Sequence, residues 1–250
     1  MLLRFILLLA LAAIARAGEP SPLVREALAA EARLDARRAL ELLLQAEAAQ
    51  PDDAFILQKI AREYSDLAEE QPGVAEKKRH AQTALDYARR AVALNPNDAV
   101  NVLSLAVCHG KLALYSETRE KVQYSRLVRD EAERALALDP NYAWAHHVLG
   151  RWHYEVASLG ATSKFFVGIF YGGLPAGSFD EGIRQLQRAT ELEPGELTHW
   201  LELGFAYAAA GRPEEARQQW IRGLAMPVRS VPDEPAQRRA RAALARLDQH

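Results

Sequence analysis

A chain of 250 residues is long enough for one large domain or two small ones with a real core. Its 31 basic residues against 33 acidic ones leave no field that would select nucleic acid or an acidic membrane surface. The single cysteine, Cys108, excludes an intrachain disulfide and a cysteine metal cluster, and a composition rich in Ala, Leu, Arg and Glu favours helices over strands.

The first element in chain order reads as an export signal. Arg4 supplies a positive start, Phe5 to Ala15 is an apolar run too short for a comfortable membrane span, and Ala15-Arg16-Ala17 places small residues where a signal peptidase reads them. Cleavage is expected after Ala17, and an uncleaved N-terminal anchor is the competing expectation. No cysteine adjoins the site, so a lipoprotein anchor does not fit. The chain is expected to be periplasmic or otherwise in the cell envelope, with residues 18–250 forming one helical repeat domain.

Beyond the signal, helices are expected at 22–48 (with a break near Arg33), 54–69, 76–93, 99–116, 120–138 and 142–158. After an insert they resume at 179–192, 196–210, 213–225 and 233–248. A recurring phrase divides them: Ala93-Leu94-Asn95-Pro96-Asn97-Asp98, Ala137-Leu138-Asp139-Pro140-Asn141-Tyr142 and Glu191-Leu192-Glu193-Pro194-Gly195-Glu196, with a weaker copy at Ala49-Gln50-Pro51-Asp52-Asp53. Proline ends one helix by removing an amide donor, and Asp or Asn beside it caps the next.

A helix pair comes after each proline, and its clearest copy is Trp200-x2-Leu203-Gly204-x2-Tyr207, then Ala216-x3-Trp220, then Pro227. This is the tetratricopeptide (TPR) pattern of large, small and aromatic residues at helical spacing. The fold class is therefore an all-α, TPR-like solenoid of elongated helix-turn-helix repeats. Its units fall at about 22–51, 54–96, 99–140, 143–194 and 197–227, with a charged capping helix at 233–248. A small residue keeps one place in each first helix: Ala61, Ala106, Gly150 and Gly204. A second column, Ala91, Ala135, Ala189 and Gly223, runs through the other helices. Small side chains here let neighbouring helices approach closely.

The one irregular segment runs from Leu159 to Gly177, aromatic across Phe165–Tyr171 and then glycine-rich. It is expected to be a short helix that plugs the seam between repeats and buries its aromatics. An apolar flap contacting lipid or a partner is the alternative.

Histidines 109, 146 and 153 fall where the repeat calls for core-facing residues, as Trp200 and Tyr207 do in the last unit. No carboxylate joins them at zinc-ligand spacing. Cys108, inside an apolar helix, reads as a buried hydrophobe. No GxSxG, phosphate-binding loop or HExxH occurs, so no catalytic residue, cofactor or metal is expected. Function is expected on the concave face, which the first helix of each unit lines. The candidate partner-binding residues are Arg62, Trp144, His147, Arg151, Tyr154, Glu155 and Phe205, with Gln58, Asp66 and Leu201 also placed there. Trp144, Arg151 and Tyr154 make a cation-plus-aromatic patch suited to a peptide or an anionic head group.

The run His147-Val148-Leu149-Gly150-Arg151-Trp152-His153-Tyr154-Glu155-Val156-Ala157-Ser158-Leu159 resembles the regulator of microtubule dynamics family. So do Leu174-Pro175-x3-Phe179-Asp180-Glu181-Gly182 and the elongated unit pattern from about Ala54 to Leu247. The resemblance implies a TPR-like domain acting in association or tethering. Eukaryotic members associate with microtubules or sit at organelle contacts, and lipid binding is also suggested for the family. It supplies no catalytic residues. A chain carrying a bacterial-style export signal would not meet tubulin. The expected activity is thus a non-enzymatic scaffold for a protein or peptide, the alternative being a lipid-binding or tethering solenoid that uses 165–171.

Overall fold

A computed structural model describes residues 20–249, so the export signal expected over 1–17 lies outside the described residues. Those residues contain twelve α-helices and no strand. They are α1 (Pro22–Ala32), α2 (Ala36–Ala49), α3 (Ala54–Leu67), α4 (Val74–Leu94), α5 (Ala99–Leu114), α6 (Thr118–Leu138), α7 (Ala143–Ala157), α8 (Ala161–Tyr171), α9 (Phe179–Leu192), α10 (Leu197–Ala209), α11 (Pro213–Leu224) and α12 (Asp233–Leu247).

The helix boundaries reflect local chemistry. Asp53 Oδ1 accepts from the backbone N–H groups of Phe55 and Ile56, and Asp98 Oδ1 does the same for Val100 and Asn101. Each carboxylate satisfies donors left over at a helix start, immediately after the proline that ended the previous helix. Asn141 provides no such cap; α7 begins at Tyr142 without a side-chain acceptor. The break between α1 and α2 is made by Leu34, in the left-handed region at φ 61°, followed by Asp35 capping the Arg38 N–H at 3.0 Å.

The helices pair α1 with α2, α3 with α4, α5 with α6, α7 with α9, and α10 with α11. First helices also touch one another in sequence, α3 to α5, α5 to α7 and α7 to α10. Neighbouring first helices that touch along one side put that side on the inside of the curve. They form the inner layer of the solenoid, and α12 closes its end against α10 and α11.

Both small-residue columns are buried. Ala61, Ala106, Gly150 and Gly204 lie in the interior, as do Ala91, Ala135, Ala189 and Gly223. At Gly150 two helix backbones cross closely: a Cβ there would lie 2.9 Å from the carbonyl oxygen of Gly182, and a Cβ at Gly182 would lie 2.9 Å from that of Gly150. Helices α7 and α9 thus meet glycine to glycine. Gly204 makes room instead for an indole, that of Trp220, whose Nε1–H donates to the Leu201 carbonyl at 3.2 Å.

The insert differs from expectation. It does form a helix, α8, but that helix has no buried residue: Phe165, Phe166, Ile169 and Phe170 are 50–63% exposed. Its aromatic face is turned outward because α8 is held by its end. Arg126 of α6 donates Nη2 to the Tyr171 carbonyl at 2.6 Å and Nε to that of Gly173 at 3.0 Å. Gly172 and Gly173, at φ +73° and +75°, turn the chain under this guanidinium. The helix is tied at its ends, Lys164 Nζ also donating to the Ala157 carbonyl at 3.0 Å, and its aromatic side chains stay outward.

Candidate functional site

The residue after each small inner-layer residue is Arg62, Val107, Arg151 or Phe205, on α3, α5, α7 and α10 respectively. The four fall in one column because the helices share a register, and none of them is buried. On α5, otherwise almost wholly buried, the open stripe is Val100 (42% exposed), Val107 (41%) and Leu114 (58%). The spacing of seven keeps all three on one face. Charged residues flank this apolar centre: Arg62 Nε lies 3.9 Å from Asp66 Oδ2, and Lys111 Nζ donates to Glu69 Oε1 at 3.2 Å.

Behind the column toward α10 is a buried polar network. Glu202, 4% exposed, accepts from the Tyr154 hydroxyl and from Arg239 Nη2, and its Oε1 lies 3.8 Å from Arg151 Nε. Burial alone would raise its carboxyl, but Arg151, then Arg239, His147 and the Tyr154 hydroxyl outweigh burial and hold it at about 2. Arg151 also donates to Glu155 Oε1 at 2.7 Å, and Arg239 lies 4.2 Å over the Phe205 ring. This network fixes the direction of Arg151 and Phe205, so the groove wall is preorganised.

Beside it, His147 and His199 share a hydrogen bond, Nδ1 to Nδ1, at 3.0 Å. One ring donates and the other accepts, so the accepting ring is neutral, and with both values held low by burial the pair at neutral pH is two neutral rings of opposite tautomers. Burial lowers His147 to about 4; burial and the adjacent His147 lower His199 to about 2. Trp144 closes the cluster with its ring 4.7 Å from that of His199. A ligand reaching these rings would meet neutral imidazole.

The expected site residues therefore separate. Arg62 and Glu155 are exposed, and Trp144, Arg151 and Phe205 half-buried, all on the inner layer. His147 is 8% exposed, Tyr154 9% and Leu201 1%, so these belong to the wall behind the groove and not to its surface. Tyr154 is drawn inward by its bond to Glu202. The expectation for His146 and His153 also fails: both are half-buried, while their neighbours His147, Trp152 and Tyr154 turn inward. His146 Nε2 approaches the Pro140 carbonyl at 3.0 Å, a helix-start contact. His109 is buried as expected and pairs with Glu131 Oε2 at 2.8 Å. Cys108 is a buried hydrophobe whose thiol burial pushes up to about 12. Val100, Val107 and Leu114 were not among the expected site residues. Their signal was present, since Val107 comes after Ala106 as Arg62 comes after Ala61, but aliphatic residues on an apolar helix read as core.

Paired helices stacked in a common register around an inner groove define a TPR-like helical-repeat scaffold. A thermophilic TPR protein of Thermus thermophilus superposes with a TM-score of 0.65 at 21% identity, over 89% of this chain and 97% of that one. Residues 23–248 match the family described as regulator of microtubule dynamics protein 1-3, and the chain belongs to that family. Regulator of microtubule dynamics protein 2 of Mus musculus is 23% identical over 208 residues, which is 83% of this chain and 51% of that protein. Protein 3 of Xenopus laevis is 28% identical over 159 residues, 64% of this chain and 34% of that protein. The chain thus spans about half the length, or less, of these relatives.

Proposed function

We propose that this chain is a non-enzymatic scaffold that binds a protein or peptide partner along its inner groove, outside the cytoplasm. The observation that carries the reading is the open aliphatic stripe Val100–Val107–Leu114 on the inner layer. Exposed aliphatic side chains in a concave, preorganised wall favour an extended partner with apolar side chains of its own. Arg62, Arg151 and Glu155 at its margins would set direction and register. The polar groups with shifted titration sit behind the groove, bonded to one another, which suits a structural role for them better than a catalytic one. An exported chain does not meet tubulin, so the partner is sought in the cell envelope.

A second reading has its own observation, the outward face of α8. Phe165, Phe166, Ile169 and Phe170 form an apolar surface beside Lys164, a composition that favours contact with acyl chains at a lipid surface. No helix among the described residues is long and apolar enough to cross a membrane.

One experiment separates the two: affinity purification from the native envelope with lipid analysis of the eluate, using wild type, Val107→Glu, and a Phe166→Glu/Phe170→Glu double variant. The groove reading expects Val107→Glu, with its melting temperature retained, to lose a protein that wild type and the double variant keep. Loss of co-eluting phospholipid only in the double variant would favour the second reading. An identical protein set in all three would overturn the groove.

A further inference from the structure

A cavity of about 230 Å³ lies where the two ends of the solenoid approach, between α1, α3 and the loop joining α11 to α12. Three carboxylates face it: Glu31 from α1, and Glu63 and Asp66 from α3. Two of them have partners. Lys59 Nζ donates to Glu31 Oε2 at 2.7 Å, and Arg62 lies near Asp66. Glu63 has none. It is 3% exposed, and no described residue gives it a hydrogen bond or an ion pair. Glu31 Oε1 is likewise buried without a hydrogen-bond partner.

The obvious intramolecular cation does not fill this gap. Arg229 belongs to the cavity wall, but its Nη1 lies 3.9 Å from where a side chain on Gly195 would begin, at the α9–α10 turn. The rest of the wall is Leu28, Ala32 and Ala36 on one side and Val231 on the other, with Ser230, whose hydroxyl is committed to Asp233 Oδ1 at 2.6 Å. No group of His, Cys, Asp or Glu side chains among the described residues is placed to hold a metal ion.

We propose that this cavity binds an organic cation, an ammonium or guanidinium carried on an aliphatic stem, with Glu63 as its counter-ion. A buried carboxylate without a partner is costly, and a cation delivered into the same space removes that cost. The second unpaired oxygen, on Glu31, offers the further acceptor that an ammonium or guanidinium requires. The aliphatic wall suits the stem. The site shares Arg62 and Asp66 with the margin of the groove, but its counter-ion Glu63 lies outside the register column, so a cation can be tested here apart from the groove reading.

Burial, with the charges of Glu31 and Asp66 added, raises the Glu63 carboxyl to about 8. The charged groups around it are Glu31 from α1, Lys59, Arg62 and Asp66 on its own helix, and Arg229 from the loop. A cation that needs ionised Glu63 must displace its proton, so affinity rises as the pH approaches 8 and levels off above it.

Two sources could supply such a cation, a lysine side chain on a peptide or a free polyamine. The test is calorimetric titration of the full chain with Nα-acetyl-lysine methylamide, with spermidine, and with the neutral norleucine analogue of the first. At least one cationic probe is expected to bind at pH 8.5 and to weaken about tenfold or more by pH 6.5. The norleucine probe is expected not to bind. Glu63→Gln should abolish binding and, having removed an unpaired charge, should melt no lower than wild type at pH 8.5. Val231→Arg, which carries a cation into the cavity from the loop, should block both probes while leaving Glu63 intact. Tighter binding of the peptide or of spermidine would name the source. The proposal is overturned if neither cation binds at pH 8.5, if norleucine binds equally, or if Glu63→Gln binds as wild type does.

Discussion

Between pH 6.5 and 4.5 the wild-type chain is expected to lose roughly 4 kcal/mol more stability than a His147→Leu/His199→Leu variant. Both histidines are held below the ordinary imidazole value, at about 4 and about 2, chiefly by burial. In the unfolded chain they take up protons below about 6.5, whereas in the folded chain they stay neutral. The unfolded state therefore binds more protons across this window, and stability falls as the pH falls. Each histidine contributes a slope approaching about 1.4 kcal/mol per pH unit.

Other groups act in the same range or below it, so the difference between proteins matters more than the wild-type curve alone. Glu63 and Asp66 are raised by burial and have the opposite sign: the folded state binds more of their protons, and acidification stabilises it through them. Glu202, held at about 2, has its full effect above about 4.5 and loses it only below. Chemical denaturation at several pH values measures the slopes. A double variant with the wild-type slope from pH 6.5 to 4.5 would contradict the neutral histidine pair.

The second large effect concerns Gly150. Gly150→Leu should cost about 3 kcal/mol, the upper part of the overpacking range, because nothing around it can yield cheaply. Its Cβ alone would meet the Gly182 carbonyl oxygen at 2.9 Å, the Leu186 Cγ at 2.8 Å and the Gln185 Cβ at 3.1 Å. Two of those belong to side chains, but the carbonyl belongs to the backbone of a packed helix. To admit a side chain, α7 and α9 must separate, and α7 also carries the contacts to α5 and α10. Urea denaturation would measure the loss, and a change below about 0.5 kcal/mol, the scale of a neutral surface substitution, would contradict a close crossing there.

The repeat was legible because several local signals agreed. Proline marked the ends of successive units, Asp53 and Asp98 marked two of the starts, and the small columns marked the crossings. These depend on backbone geometry, which the same residue types produce wherever they recur. The path of individual side chains was less legible. Tyr154 and His147 fall on the side of α7 that faces the groove, yet they are buried by partners 48 and 52 residues away, Glu202 and His199. Periodicity on one helix carries no information about a counter-ion on another. The outward face of the insert is hidden from the sequence for a similar reason. Aromatic residues in a tight domain usually find a core, but α8 is anchored through carbonyls to Arg126, and that contact leaves no trace in the apolar pattern. Glu63 was equally silent: one glutamate on a charged helix face looks solvated until the far end of the chain closes over it.

The register column Arg62, Val107, Arg151 and Phe205 is the surface proposed to face the partner. Its most direct measurement places a photo-crosslinking amino acid at position 107 and, as a control, at position 127 on the outer helix α6, where Leu127 is 39% exposed. Illumination in the native cell should join the partner to position 107 and leave position 127 free. Crosslinks from 127 with none from 107 would place the binding surface on the outside of the curve and contradict the account.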